Sequence, residues 1–189
     1  MIISFSGAHG SGKSTIAKML SEKLGWPRYY IGGLRREAAQ KRGLTLEEYN
    51  ELGEKDPVTD REVDEYQREL GVTQDNFIIE GRTSWYFIPH SYKIYLDVSE
   101  EEGAHRIFKS VQEGNRSNEA KNLDSQAEVL EHMQKRLARD RLRYQKYYNI
   151  DVYDTSHYDL YLDTTKLGID ELFRIIYQAV NTELDNRKN

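Results

Sequence analysis

The sequence predicts an α/β fold with helices on both faces of a parallel sheet, and three observations predict it. Short apolar runs recur five times, at 2–6, 28–31, 76–82, 93–98 and 159–163, alternating with helical stretches. That alternation belongs to parallel sheets, whose strands are buried on both faces. The first run leads into Gly7-Ala8-His9-Gly10-Ser11-Gly12-Lys13-Ser14, which fits the pattern G-x-x-x-x-G-K-[ST] between a strand and a helix. The 189 residues suit a single domain, 1–189, with room for an inserted lobe.

Ile2 to Ser6 is the first strand, and Thr15 to Leu20 opens a helix whose N-terminal dipole favours an anion. In the turn between them, glycines let successive N–H groups converge on phosphate oxygens with no Cβ in the way. Lys13 supplies a point charge for the β- and γ-phosphates, and the Ser14 hydroxyl a ligand for Mg²⁺. Gly7 through Thr15, with Ala8, His9, Gly10, Ser11 and Gly12 between, therefore form the binding site for a nucleoside triphosphate.

Gly25-Trp26-Pro27 stops the first helix, and Arg28 to Ile31 is the second strand, which Gly32-Gly33 are expected to break. A helix follows from Leu34 to Arg42, and Gly43 ends it. Thr45 with Glu48 is a capping box opening the next helix. Asp56-Pro57 punctuates, and Val58 to Leu70 is a third, very charged helical run. Residues 32–71 thus read as a helical insertion too polar for the core, lying beside the sheet against a cleft. Asn76 to Arg82 and Lys93 to Val98 hold the third and fourth strands. Ser99 with Glu102 caps a helix running through Arg106, Ile107 and Val111. Gly114 to Asp124 has no periodicity and reads as a mobile loop. Ser125 with Glu128 caps a long helix, with Val129, Met133 and Leu137 at four-residue spacing. Asp159 to Asp163 is the fifth strand, and Ile169 to Leu184 a closing amphipathic helix.

Composition excludes several classes of function. Charged residues make up 31% of the chain and the net charge is -5, so attraction to nucleic acid or to an anionic membrane is not expected. The absence of cysteine removes disulfides, thiolate metal sites and cysteine nucleophiles. No run approaches a membrane-spanning length and no signal peptide precedes the first strand, which points to the cytoplasm. The five histidines show no metal spacing.

In a parallel sheet, ligands sit outside the carboxyl ends of the strands. That rule brings Gly32-Gly33, Glu80-Gly81-Arg82 and Asp163-Thr164 to the edge that carries the glycine-rich turn. Glu80 ends an apolar strand, where its carboxylate can hold the Mg²⁺ shell through water; a solvated loop carboxylate is the alternative. Arg82, with Gly81, would face a second phosphate across the cleft, unless it is spent on an ion pair. Arg36, on the first turns of its helix, would bind the same acceptor phosphate, with a solvated helix face as the competitor. Arg136, Arg139 and Arg143 share a helix face at a 3.6 period, with Arg141 turned away. Arginines brought in by a closing lid stabilise the charge on a transferring phosphoryl group.

These residues resemble the nucleoside monophosphate kinases, and most closely the archaeal-type cytidylate (CMP) kinases. The matching points are the P-loop, Gly32 with Arg36, Gly43-Leu44-Thr45-Leu46-Glu47-Glu48-Tyr49, Glu54-Lys55-Asp56-Pro57, Asp60-Arg61-Glu62-Val63-Asp64 and Glu80-Gly81-Arg82. Arg143-Tyr144, Tyr148-Asn149-Ile150-Asp151 and Tyr158-Asp159 leading to Asp163-Thr164 extend the resemblance over nearly the whole chain. Gly33, where that family usually carries an acid, and Arg139-Asp140, where it carries Ser-Glu, depart from the pattern. The resemblance implies a three-layer α/β/α P-loop NTPase fold on a five-stranded parallel sheet. It implies a monophosphate-binding lobe at about 32–71 and a lid at about 106–149. It implies transfer of the γ-phosphoryl group of ATP to CMP or dCMP with Mg²⁺ by a monomer. Lys13, Arg136 and Arg139 would then act in transfer, Arg106 on the ATP side, and Arg36, Gly81 and Arg82 on the acceptor. Two other readings compete: a kinase for another monophosphate or a small hydroxyl metabolite, and a nucleotide switch that transfers nothing. The chain has no Asn-Lys-x-Asp guanine motif, and a second arginine set has no use in a switch.

Overall fold

The computed structural model describes residues 1–55, 58–113 and 124–188. Five strands, β1 (Ile2–Gly7), β2 (Arg28–Tyr30), β3 (Phe77–Glu80), β4 (Tyr92–Asp97) and β5 (Leu160–Asp163), pair in parallel. Their order is β2-β3-β1-β4-β5, so the strand that feeds the glycine-rich turn is central. Its register sets Phe5 opposite Glu80 on one side and Gly7 opposite Leu96 on the other. The carboxyl end of β1 at Gly7 therefore reaches past that of β3 at Glu80, and both open on the same edge of the sheet.

Eight helices complete the described fold: α1 (Lys13–Leu24), α2 (Ile31–Lys41), α3 (Leu46–Lys55), α4 (Val58–Thr73), α5 (Ser84–Phe87), α6 (Glu100–Gln112), α7 (Gln126–Tyr148) and α8 (Ile169–Asn186). Alternate strand residues point to opposite faces. Ile3, Phe5, Ile78, Ile94 and Leu96 pack on Ile16 and Leu20 of α1 and on Leu172, Ile176 and Val180 of α8. Ile2, Phe77 and Ile79 face the other way, onto Ile31 of α2 and Val63 and Leu70 of α4. The result is the expected three layers. A smaller cluster, Ala104 and Ile107 with Val129 and Met133, joins α6 to α7.

Three expectations need correction. Gly32 and Gly33 do not break the chain after β2; they lie in the first turn of α2. A Cβ on either would stand 3.0 Å from the Tyr30 ring, so these glycines let that ring lie across the helix start. The segment 32–71 is not wholly outside the core, since Val63 and Leu70 are buried against the sheet. Burying such a side chain is worth about 1.5–3 kcal/mol, which fixes α4 in place. The short helix α5 was not expected at all. Residues 56, 57 and 114–123, read as a helix break and as most of a mobile loop, lie outside the described residues. The three caps form as the spacing predicts. Oγ of Ser99 accepts from Glu102 N at 3.3 Å, and Oγ of Ser125 from Glu128 N at 3.2 Å. At Thr45 the box is reciprocal: Glu48 Oε2 accepts from Thr45 N, and Thr45 Oγ1 from Glu48 N.

Candidate functional site

The carboxyl edge of the sheet holds a cavity whose walls come from the glycine-rich turn, α2, α3, α4, the exit of β3 and α7. Gly7, Gly10 and Gly12 all have positive φ, at 135°, 78° and 86°. Two of them are also places of close approach. A Cβ on Gly7 would lie 2.0 Å from the Leu96 carbonyl oxygen, and one on Gly10 2.4 Å from that of Gly103 in α6. The turn is thus clamped between β4, where Ala8 N donates to the Leu96 carbonyl at 3.0 Å, and α6. Lys13 reaches back across the turn: its Nζ donates to the carbonyls of Gly7 at 2.9 Å and Ala8 at 2.5 Å. Ser14 and Thr15, at the N-terminus of α1, line the cavity beside it.

Glu80 ends β3 and is 3% exposed. It forms an ion pair with Arg28 of β2 through Oε1, whereas Oε2 is buried with no hydrogen-bond partner among the described residues. Both Glu80 and Ser14 line the cavity. A buried carboxylate oxygen in want of a donor, beside a hydroxyl and a phosphate-type turn, fits a hydrated Mg²⁺, which keeps several waters and takes few protein ligands. Among the described residues no three His, Asp or Glu side chains cluster as a metal centre.

At the other end of the cavity charges alternate. Arg82, just beyond β3, pairs with Asp140 of α7 at 2.9 Å. Asp140 also takes Arg143 at 3.0 Å, Arg143 lies 3.8 Å from Asp60 of α4, and Asp60 pairs with Arg35 of α2. Burial opposes the charge on Asp140, but Arg82, Arg143 and Arg136 outweigh it and hold the carboxyl below its ordinary value. Burial likewise opposes the charge on Arg82, and Asp140 and Tyr153 override it, so the guanidinium is held on. His9 Nε2 lies 2.5 Å from Arg82. Burial first, then Arg82, Arg136 and Lys13, push His9 well below its ordinary value, so it is neutral near pH 7. His9 is therefore a neutral contact between the turn and Arg82.

The structure sorts the expected residues unevenly. Lys13, Ser14, Glu80, Gly81, Arg82 and Arg136 line the cavity together. Arg36 does not; it lies over the Tyr30 ring and donates to the Tyr30 hydroxyl at 2.8 Å, and the cavity residue is its neighbour Arg35. Starting α2 at Ile31 rather than Leu34 does not move either arginine along the chain, but packing against Tyr49 and Asp60 turns Arg35 inward. Arg139 parts from Arg136 and Arg143 and lies 3.7 Å from Glu51 of α3. Arg106 is off the cavity, behind the turn, donating to Gly10 O at 3.5 Å and Thr164 O at 2.8 Å. The sequence reading missed Arg35, Asp60, Asp64, Gln67 and Asp140. Asp60, Asp64 and Gln67 recur at four- and three-residue steps on one face of α4, a period hidden in a run where nearly every residue is polar. Gly103 was missed too: a Cβ there would stand 2.6 Å from the His9 carbonyl oxygen.

Residues 2–166 match a family described as the cytidylate kinase-like family. A cytidylate kinase of Natronomonas pharaonis is 36% identical over 184 residues, covering 96% of this chain and 90% of that protein. One of Methanocella arvoryzae is 36% identical over 96% of this chain and 97% of its own length. Among solved structures, an uncharacterized protein from Eubacterium ventriosum superposes with a TM-score of 0.68 at 18% identity, covering 96% of this chain and 98% of that one. A shikimate kinase from Bacteroides thetaiotaomicron gives 0.61 at 14% identity, covering 98% of each chain. At such identities the two structures speak for the fold alone.

Proposed function

The chain belongs to the cytidylate kinase-like family, and on that premise we propose that it transfers the γ-phosphoryl group of ATP to CMP, and to dCMP, giving the diphosphate. The observation that carries the reading is a cavity with two different ends. One is a phosphate-binding turn with its lysine; the other is an arginine set that a single nucleotide would not use. Phosphoryl transfer leaves the protein little covalent chemistry, so positioning and charge do most of the work.

In this reading Lys13 leaves the Gly7 and Ala8 carbonyls for the β- and γ-phosphates, while N–H groups from Gly7 to Thr15 hold the phosphate chain. Mg²⁺ would be held by Ser14 directly and by Glu80 through water, and it would supply positive charge to the phosphate chain there. Arg82 binds the acceptor phosphate against Gly81, whose missing Cβ would meet Ser84 Oγ at 2.4 Å. Arg35 supports it from α2, and Arg36 can reach the same ligand past Tyr30. Arg136 stabilises the transferring group; Arg139 joins it on leaving Glu51. Arg106 fixes the donor side by tying Thr164 to the glycine-rich turn. We take 32–71 as the acceptor lobe and 106–149 as the lid of one domain. One chain supplies every group named, so we take the enzyme to act as a monomer, and to do so in the cytoplasm. No helix among the described residues is long and apolar enough to cross a membrane.

The test is a coupled assay with ATP and Mg²⁺ across CMP, dCMP, UMP, AMP, GMP and shikimate. CMP should give the highest kcat/KM. A better turnover of shikimate or a purine monophosphate, or ATP hydrolysis indifferent to any acceptor, would reject the proposal.

A further inference from the structure

Beyond the arginines, Leu46, Val63 and Tyr144 give the cavity an apolar flank, and two polar side chains of α4 face the same space. Asp64 and Gln67 are three residues apart, hence on one side of the helix, and are 6% and 0% exposed. Polar groups this buried are costly without partners, and their partners here are only partly supplied by the protein. Ser84 Oγ donates to Gln67 Oε1 at 2.7 Å. The NH₂ end makes a long 3.4 Å contact with Thr83 Oγ1, and an NH₂ has two hydrogens to give. The Tyr148 hydroxyl, from α7, donates to Asp64 Oδ2, and Asp64 lines the cavity.

We propose that Asp64 and Gln67 together read the amino-bearing edge of the acceptor base, Asp64 accepting from the exocyclic amino group and Gln67 Nε2 donating to the ring nitrogen beside it. The inference rests on the reading of this protein as a CMP kinase and names the part of that site which recognises the base. Cytosine presents a donor at its 4-amino group and an acceptor at N3. Uracil presents the reverse, so O4 would face a carboxylate and N3–H an amide N–H. Leaving hydrogen-bonding groups of a site unpaired can discriminate by roughly 10⁴-fold or more. Adenine shows the same order as cytosine at its 6-amino group and N1. The pair therefore sorts amino from keto bases, and ring size is sorted elsewhere.

The electrostatic setting agrees. Burial pushes the Asp64 carboxyl up to about 6; Tyr148 from α7 favours the anion, Asp60 on α4 disfavours it, and Arg35 from α2 and Arg68 on α4 favour it. The folded chain thus keeps a proton that the unfolded chain, with an ordinary value of about 3.9, has already lost. Stability from this group is present in acid and is lost as pH rises through about 6.

Asp64→Asn keeps the shape and turns an acceptor into a donor. With saturating ATP and Mg²⁺, kcat/KM for CMP should fall by about 100-fold or more, while that for UMP holds or rises and the KM for ATP is unchanged. The variant should melt above the wild type at about pH 7.5, with the gain shrinking at about pH 4.5. Gln67→Glu should shift the CMP-to-UMP ratio in the same direction, because an acceptor then meets the N3–H of uracil. Equal losses on CMP and UMP in both variants, with a wild type that prefers CMP, would overturn the inference and leave the kinase reading standing. A wild type with no preference for CMP would remove both.

Discussion

Lys13 Nζ holds two backbone carbonyls at the turn, that of Gly7 at 2.9 Å and that of Ala8 at 2.5 Å. Lys13→Ala should therefore leave the unfolding free energy within about 1 kcal/mol of wild type while phosphoryl transfer falls by several orders of magnitude. Near-normal turnover would end the reading of the turn. Glu80 is a different case, because its two oxygens are placed differently: one is bonded to Arg28, the other is buried with no hydrogen-bond partner among the described residues. Glu80→Gln keeps the shape and drops the charge, so the Mg²⁺ concentration for half-maximal rate should rise about tenfold, with a smaller change in KM for CMP. An unchanged Mg²⁺ titration would sink the proposed role. Arg82 is bound to Asp140, so its removal would leave a buried carboxylate with Arg143 but without its second ion-pair partner, and confuse stability with binding. Arg82→Lys is the cleaner variant: it keeps the charge but loses the fork. KM for CMP should rise about 10- to 150-fold and that for ATP far less. Parallel rises for both ligands in binding titrations would place Arg82 elsewhere.

At the level of elements, local signals were read well and remote ones were not. The three caps were legible because a Ser or Thr and a Glu three residues on settle a helix start without help from the rest of the fold. The glycine-rich turn was legible for the same reason. Gly32-Gly33 looked like a break because their use, room for the Tyr30 ring, depends on a side chain folding back over the helix. Arg36 was preferred to Arg35 because a helical period says which residues share a face, not which face turns inward. That is decided by Asp60, 25 residues away. Gly103 is the plainest instance. Inside a helix a glycine costs about 1 kcal/mol relative to alanine, so Gly103→Ala ought to stabilise α6. Here its Cβ would stand 2.6 Å from the His9 carbonyl, and the turn must give way. The variant should lose about 1–3 kcal/mol of stability and bind ATP more weakly, read by thermal melting and nucleotide titration. A more stable protein with unaltered ATP affinity would show that the turn is not clamped by α6.

For the whole molecule, the chain of Arg82, Asp140, Arg143, Asp60 and Arg35 has a consequence for how substrates arrive. Three arginines and two aspartates leave one net positive charge, fixed and largely buried, inside a protein whose net charge is -5. A nucleotide anion diffusing in from solution meets the repulsive exterior first and the attractive interior only on contact. Mobile ions act on the two unequally: the Debye length is about 8 Å at physiological ionic strength, which damps the exterior field while the buried charges are screened much less. Added salt should thus ease the approach without loosening the grip. With ATP and Mg²⁺ saturating, kcat/KM for CMP should stay level or rise slightly from about 0.02 to about 0.15 M KCl. A several-fold fall over that range would mean that the acceptor is held by exposed cations at the surface, and the buried chain would then be scaffolding for some other contact.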